Sequence, residues 1–97
     1  MFNVSKSIIL VALKGELPKK YLPGWNILYT GVGKINASYS ASKAIFDFKP
    51  ETIINFGTAG SLRDNLSGLH EVSIFKQRDM DAESLGFASG ETLFDKT

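Results

Sequence analysis

Residues 52–60 read TIINFGTAG. Its first part belongs to a short apolar run, Glu51 to Gly57, that leads straight into a stretch of glycine and small residues. The run is too short for a helix and is expected to be a strand. The part from Gly57 is expected to be a loop at that strand's carboxyl end, where open α/β sheets collect ligands. Thr58 offers a hydroxyl there, and Gly60 permits close approach of a ligand to the backbone. An ordinary turn has the same composition, so the rest of the chain must decide.

Upstream, Ser7 to Leu13 is a continuous Ile-, Val- and Leu-rich run. Such a run suits a strand buried on both faces of a largely parallel sheet. Pro18, Pro23 and Gly24 then break the chain, and Trp25 to Gly31 is expected to be a second strand. From Lys34 to Lys49 the period changes. Ile35, Tyr39, Ser42, Ile45 and Phe48 recur at helical spacing beside Ala37, Ala41 and Ala44, which predicts a helix with a close-packing face. Pro50 ends it. Glu51 to Gly57 is the third strand, and the alternating stretch from His70 to Gln77 is expected to be a fourth. Beyond Arg78 the pattern gives way to Gly, Ser and acids with little periodicity. The order β, β, α, β, β predicts an α/β fold. A parallel sheet needs cover on both faces, and one clear helix is too few, so the chain is expected to be the front part of a larger fold.

Bulk composition narrows the function. The 97 residues fit one small domain. A net charge of +1 gives no electrostatic case for nucleic acid or a membrane surface. The absence of Cys and the single His70 argue against disulfides and Cys- or His-based metal clusters, so neither metal nor cofactor is expected. The apolar run ending at Leu13 is too short to span a bilayer and lacks a cleavage site. A cytoplasmic location is expected.

A second glycine turn, GVGKIN at residues 31–36, stands between the second strand and the helix. A dinucleotide fingerprint wants a third glycine where Asn36 stands, and a P-loop wants an earlier one where Leu28 stands. Both matches fail. What remains is a strand, two glycines and a helix start, which serves equally for a close-approach site or a tight turn. Two such loops on neighbouring strands point to a shared crevice. Glu16, just past the first strand, reads by itself as a surface carboxylate, and the Arg78–Asp81 run as a charge cluster.

Four segments in this order resemble the nucleoside phosphorylase and nucleosidase superfamily, and most of all its methylthioadenosine/S-adenosylhomocysteine nucleosidases. They are LVALKGE (10–16), TGVGKINAS (30–38), PETIINFGTAGSL (50–62) and QRDMDAESLGF (77–87). The resemblance implies a three-layer αβα phosphorylase/hydrolase-like fold with a mixed, largely parallel central sheet. It implies hydrolysis of the N-ribosidic bond of a purine nucleoside, in a homodimer. Glu16 matches the glutamate that orients or deprotonates the attacking water. Leu13, Val32, Gly33, Thr58, Ala59 and Gly60 match substrate-binding positions, and Leu85 and Phe87 match positions covering the partner subunit's pocket.

Phosphorylases resembling this fold carry an arginine where this chain has Asn55, and their early arginine loop is replaced here by lysines. A dianion without a forked arginine is poorly held, so the resemblance favours water over phosphate as nucleophile. The family's Met-Glu pair, which grips the ribose, and its Ser-Asp motif, which protonates the purine, do not occur in this sequence. Lack of that acid would forfeit roughly 10²–10⁴-fold in rate. Residues 1–97 are therefore expected to be the N-terminal half of the domain, with a purine nucleoside phosphorylase and a catalytically inactive nucleoside-binding fragment as alternatives.

Overall fold

The computed structural model describes residues 3–76. They fall into two units, residues 3–60 and 61–76. The first holds all the regular structure: β1 (Ser7–Val11), β2 (Asn26–Tyr29), α1 (Lys34–Phe48) and β3 (Thr52–Phe56). The three strands form one parallel sheet in the order β2-β1-β3, an α/β arrangement as expected. β1 is central, and all five of its residues are buried. Its apolar run is what the middle strand of a covered parallel sheet requires.

Alternation along the strands sends side chains to two faces. Ile9 and Val11 of β1 lie beside Ile27 and Tyr29 of β2 and Ile54 and Phe56 of β3. Leu17, Leu22 and Trp25 from the β1–β2 connection pack on this face and close a small core. That connection contains a short 3-10 turn, Lys19–Tyr21, in place of a helix. α1 flanks the opposite face, where Tyr39, Ser40, Ala44 and Phe48 line a groove together with Ile8 and Leu28.

Strand and helix boundaries differ from expectation by one or two residues. β1 ends at Val11, not Leu13, because the chain turns there: the Glu16 amide donates to the Leu13 carbonyl at 3.0 Å. The second strand is shorter than Trp25–Gly31, yet its pairing continues past Tyr29. The Thr30 amide donates to the Val11 carbonyl at 2.8 Å and Gly31 to Ala12 at 3.1 Å. α1 stops at Phe48, and Lys49 caps it in the left-handed region at φ 49°.

The packing face of α1 is a larger correction. Ala44 is its one buried residue, whereas Ile35 is 86% and Tyr39 68% exposed. At 100° per residue Ala44 lies opposite Ile35. Ser40, Ala41 and Ala44 are the less exposed residues of α1, Ile35 and Ile45 are exposed, and Tyr39 and Phe48 are exposed while still lining the groove beside Ile8 and Leu28.

The fourth strand is also corrected. His70 to Lys76 carry no regular structure, and Val72, Ile74 and Phe75 are exposed. An alternating pattern yields a strand only where a neighbour supplies the hydrogen-bond ladder, and no described residue pairs with this stretch. Local turns organise the second unit instead: Ser61 Oγ donates to the Arg63 carbonyl at 2.6 Å, and His70 Nε2 lies 2.8 Å from the Ser67 carbonyl. Gln77, the Arg78–Asp81 run, Leu85 and Phe87 lie outside the described residues. Among the described residues no helix is long and apolar enough to cross a membrane.

Candidate functional site

Parallel strands place all their carboxyl ends on one side of the sheet. Val11 and Phe56 are register partners at the ends of β1 and β3. The loops that leave them therefore begin side by side, although Glu16 and Thr58 are 42 residues apart in sequence. Here the two loops are tied together. Glu16 Oε2 accepts hydrogen bonds from the Thr58 amide at 2.9 Å and from Thr58 Oγ1 at 2.9 Å. Glu16 Oε1 accepts from the Leu13 amide at 3.1 Å, within the turn whose other bond runs from the Glu16 amide to the Leu13 carbonyl.

An ionised carboxylate offers about four acceptor positions. Three are filled by these donors. The fourth, on Oε1, has no donor among the described residues. Donors on a carboxylate favour its charged form. The Thr58 hydroxyl and then the Thr58 amide hold the Glu16 carboxyl below the ordinary glutamate range; desolvation pushes the other way, and the Leu13 amide adds a smaller lowering. Glu16 is thus a fixed, ionised acceptor at neutral pH, not a wandering surface carboxylate.

Of the residues singled out from sequence, Glu16, Thr58 and Leu13 are brought together, Leu13 by its amide while its side chain is 53% exposed. Ala59 and Gly60 continue the exposed Thr58 loop. Val32 and Gly33 lie in the turn after β2, at the same end of the sheet. No hydrogen bond among the described residues links them to Glu16 or Thr58. Their turn is closed from within: Asn36 Nδ2 donates to the Val32 carbonyl at 2.8 Å, and the Ala37 amide to the Gly33 carbonyl at 3.0 Å. Asn36, which breaks the dinucleotide fingerprint, is the residue that braces the turn. Asn55 is exposed on β3, opposite Leu10 in the register.

The strands and loops bring together a second group that was not apparent in the sequence. The Lys14 and Lys19 ammonium groups each lie 6.0 Å from the centre of the Tyr29 ring. With Gly15 and Pro18 these residues line a small open cavity. Tyr29 is fixed by its hydroxyl, which donates to the Leu17 carbonyl at 2.7 Å.

Comparison with known proteins decides the family. A family profile described as the phosphorylase superfamily matches residues 23–95. The chain belongs to the phosphorylase superfamily. Within it, the chain is similar to the 5′-methylthioadenosine/S-adenosylhomocysteine nucleosidases of Staphylococcus aureus strains JH9, Newman and JH1. Identity to each is 40% over 68 residues, which is 67% of this chain and 29% of the relative's length. The superfamily chain thus spans less than a third of these relatives in the match. No solved structure matches it.

Proposed function

We propose that residues 1–97 are the N-terminal half of a phosphorylase-superfamily domain that hydrolyses the N-ribosidic bond of a purine nucleoside, 5′-methylthioadenosine being the first substrate to test. The observation that carries this reading is the Glu16 carboxylate, ionised and fixed by Thr58 and Leu13 at the ligand-collecting end of the sheet. Cleavage of such a bond leaves an oxocarbenium-like sugar that water must attack from a set position. The remaining acceptor position on Oε1 suits it to hold that water. Because its charge is stabilised, Glu16 works as an orienting and charge-balancing acceptor more than as a strong base. Val32, Gly33, Thr58, Ala59 and Gly60 would face the nucleoside, and Leu85 and Phe87 would cover the site of a partner copy in a cytoplasmic homodimer. The 40% identity to nucleosidases over 68 residues supports the choice of substrate class.

Phosphorolysis is the second reading, favoured by the two ammonium groups of Lys14 and Lys19 in the loop that carries Glu16. Asn55 weighs against it, since it supplies no guanidinium for a phosphate dianion.

Release of free adenine from methylthioadenosine by the purified protein tests the main reading. Glu16→Gln keeps the side chain's size and removes its charge. It is expected to lower release by roughly 10²–10⁴-fold. Release at the wild-type rate by this variant would remove Glu16 from the chemistry. Nucleoside binding without any release by the wild-type protein would support the binding-only alternative.

A further inference from the structure

The hydrogen bonds of the Thr58 side chain point to a use other than gripping the sugar. We infer that Thr58 is a positioning residue for Glu16: its hydroxyl and amide hydrogens lock one carboxylate oxygen so that the other presents a single acceptor position in a fixed direction. This inference rests on the proposed hydrolytic reading for its consequence in catalysis, but not for its geometry.

A threonine hydroxyl has one hydrogen to give. Thr58 Oγ1 gives it to Glu16 Oε2 at 2.9 Å, so it has none to donate to a ribose oxygen at the same time. The amide of the same residue reaches the same oxygen, also at 2.9 Å. Two donors from one residue fix the carboxylate in position and in rotation, which a single bond would not do. Threonine suits the task because its branched Cβ restricts χ1, so the hydroxyl is held where the amide already points. Among the described residues, these are the hydrogen bonds that join the loop after β1 to the loop after β3. A Cβ at Gly57 would stand 3.6 Å from Oε2, an ordinary contact, so the bond does not depend on glycine there.

The test uses the whole chain, with two variants and two readouts. Thr58→Val keeps the branched shape and the amide donor but removes the hydroxyl. Thr58→Ser keeps the hydroxyl and loses the methyl. The first readout is the titration of the Glu16 carboxyl carbon followed by NMR, which needs no turnover. Thr58→Val is expected to move that titration up toward the ordinary glutamate range, and Thr58→Ser to leave it close to wild type. The second readout is adenine release. A misdirected water holder loses kcat with KM little changed, on the order of 10²-fold for a displacement of about 1 Å. The acid limb of the kcat profile should move up with the titration, and Thr58→Ser should restore both. A titration unmoved by Thr58→Val overturns the inference. So does a loss confined to KM at constant kcat, which is the signature of a sugar contact. If Glu16→Gln releases adenine normally, the hydrolytic reading fails, and the titration of Thr58→Val still decides whether Thr58 holds Glu16.

Discussion

The turn after β2 and the turns after β1 and β3 lie at the same end of one parallel sheet; those after β2 and β3 are rich in glycine and small residues, and the one after β1 carries Leu13, Lys14 and Glu16. They use their polar atoms differently. In the turn after β2, Asn36 bonds back to Val32 and Ala37 to Gly33, so the turn satisfies itself. Between the other two, the Glu16 carboxylate and Thr58 reach across from one loop to the other. A self-satisfied turn starts a helix at a fixed angle. A bond across two loops orients a charged group at the carboxyl end of the sheet, where a ligand can meet it. The turn after β2 is thus a fixed structural turn, and the paired loops after β1 and β3 hold a candidate chemical group.

Gly31 holds the self-satisfied turn after β2. Its φ is +83°, and a Cβ there would come within 3.2 Å of Asn36 Nδ2. Gly31→Ala is expected to destabilise the fold by about 1–2 kcal/mol. In a domain of this size that lowers Tm by roughly 4–8 °C for each kcal/mol. The Glu16 titration should stay where it is. A shift in Glu16 with this variant would show that the two kinds of turn are coupled after all.

A smaller effect is expected at the Glu16–Thr58 bond. Because Glu16 titrates below its unfolded value, the folded state binds its proton less readily than the unfolded state. Its contribution to stability is full above the ordinary glutamate range and is lost as pH falls through the lowered folded value. Urea unfolding of wild type and Glu16→Gln across this acidic window should show the difference between them shrinking as pH falls. The carboxylate is exposed to solvent, so this difference is small. A difference that is independent of pH would mean that the Thr58 and Leu13 donors do not favour the charged form.

Much of the fold was legible because β1, β2 and β3 are short apolar runs and α1 is bounded by Gly33 and Pro50. The errors have physical causes. The repeat of Ile35, Tyr39 and Ile45 has helical spacing, but periodicity cannot say that the small Ala44 is the buried residue while Ile35 and Ile45 stay exposed. The alternation from His70 to Gln77 predicted a strand, but alternation does not supply a pairing partner. The site was legible in part. Thr58 stood out by its hydroxyl at the strand end and Glu16 through the family resemblance, yet their bond depends on β1 and β3 being sheet neighbours. The convergence of Lys14 and Lys19 on Tyr29 left no sequence signal, since it depends on how the β1–β2 connection folds over β2.

The central claim is that the fixed Glu16 carboxylate serves water and not phosphate. Adenine release from methylthioadenosine, measured with the purified protein dialysed free of phosphate and again with phosphate added, tests it most directly. Whatever release the protein gives is expected without phosphate, at a rate that added phosphate does not raise. Release that requires phosphate, with a sugar 1-phosphate as product, would contradict it and would give the Lys14–Lys19 pair the part assigned here to Glu16.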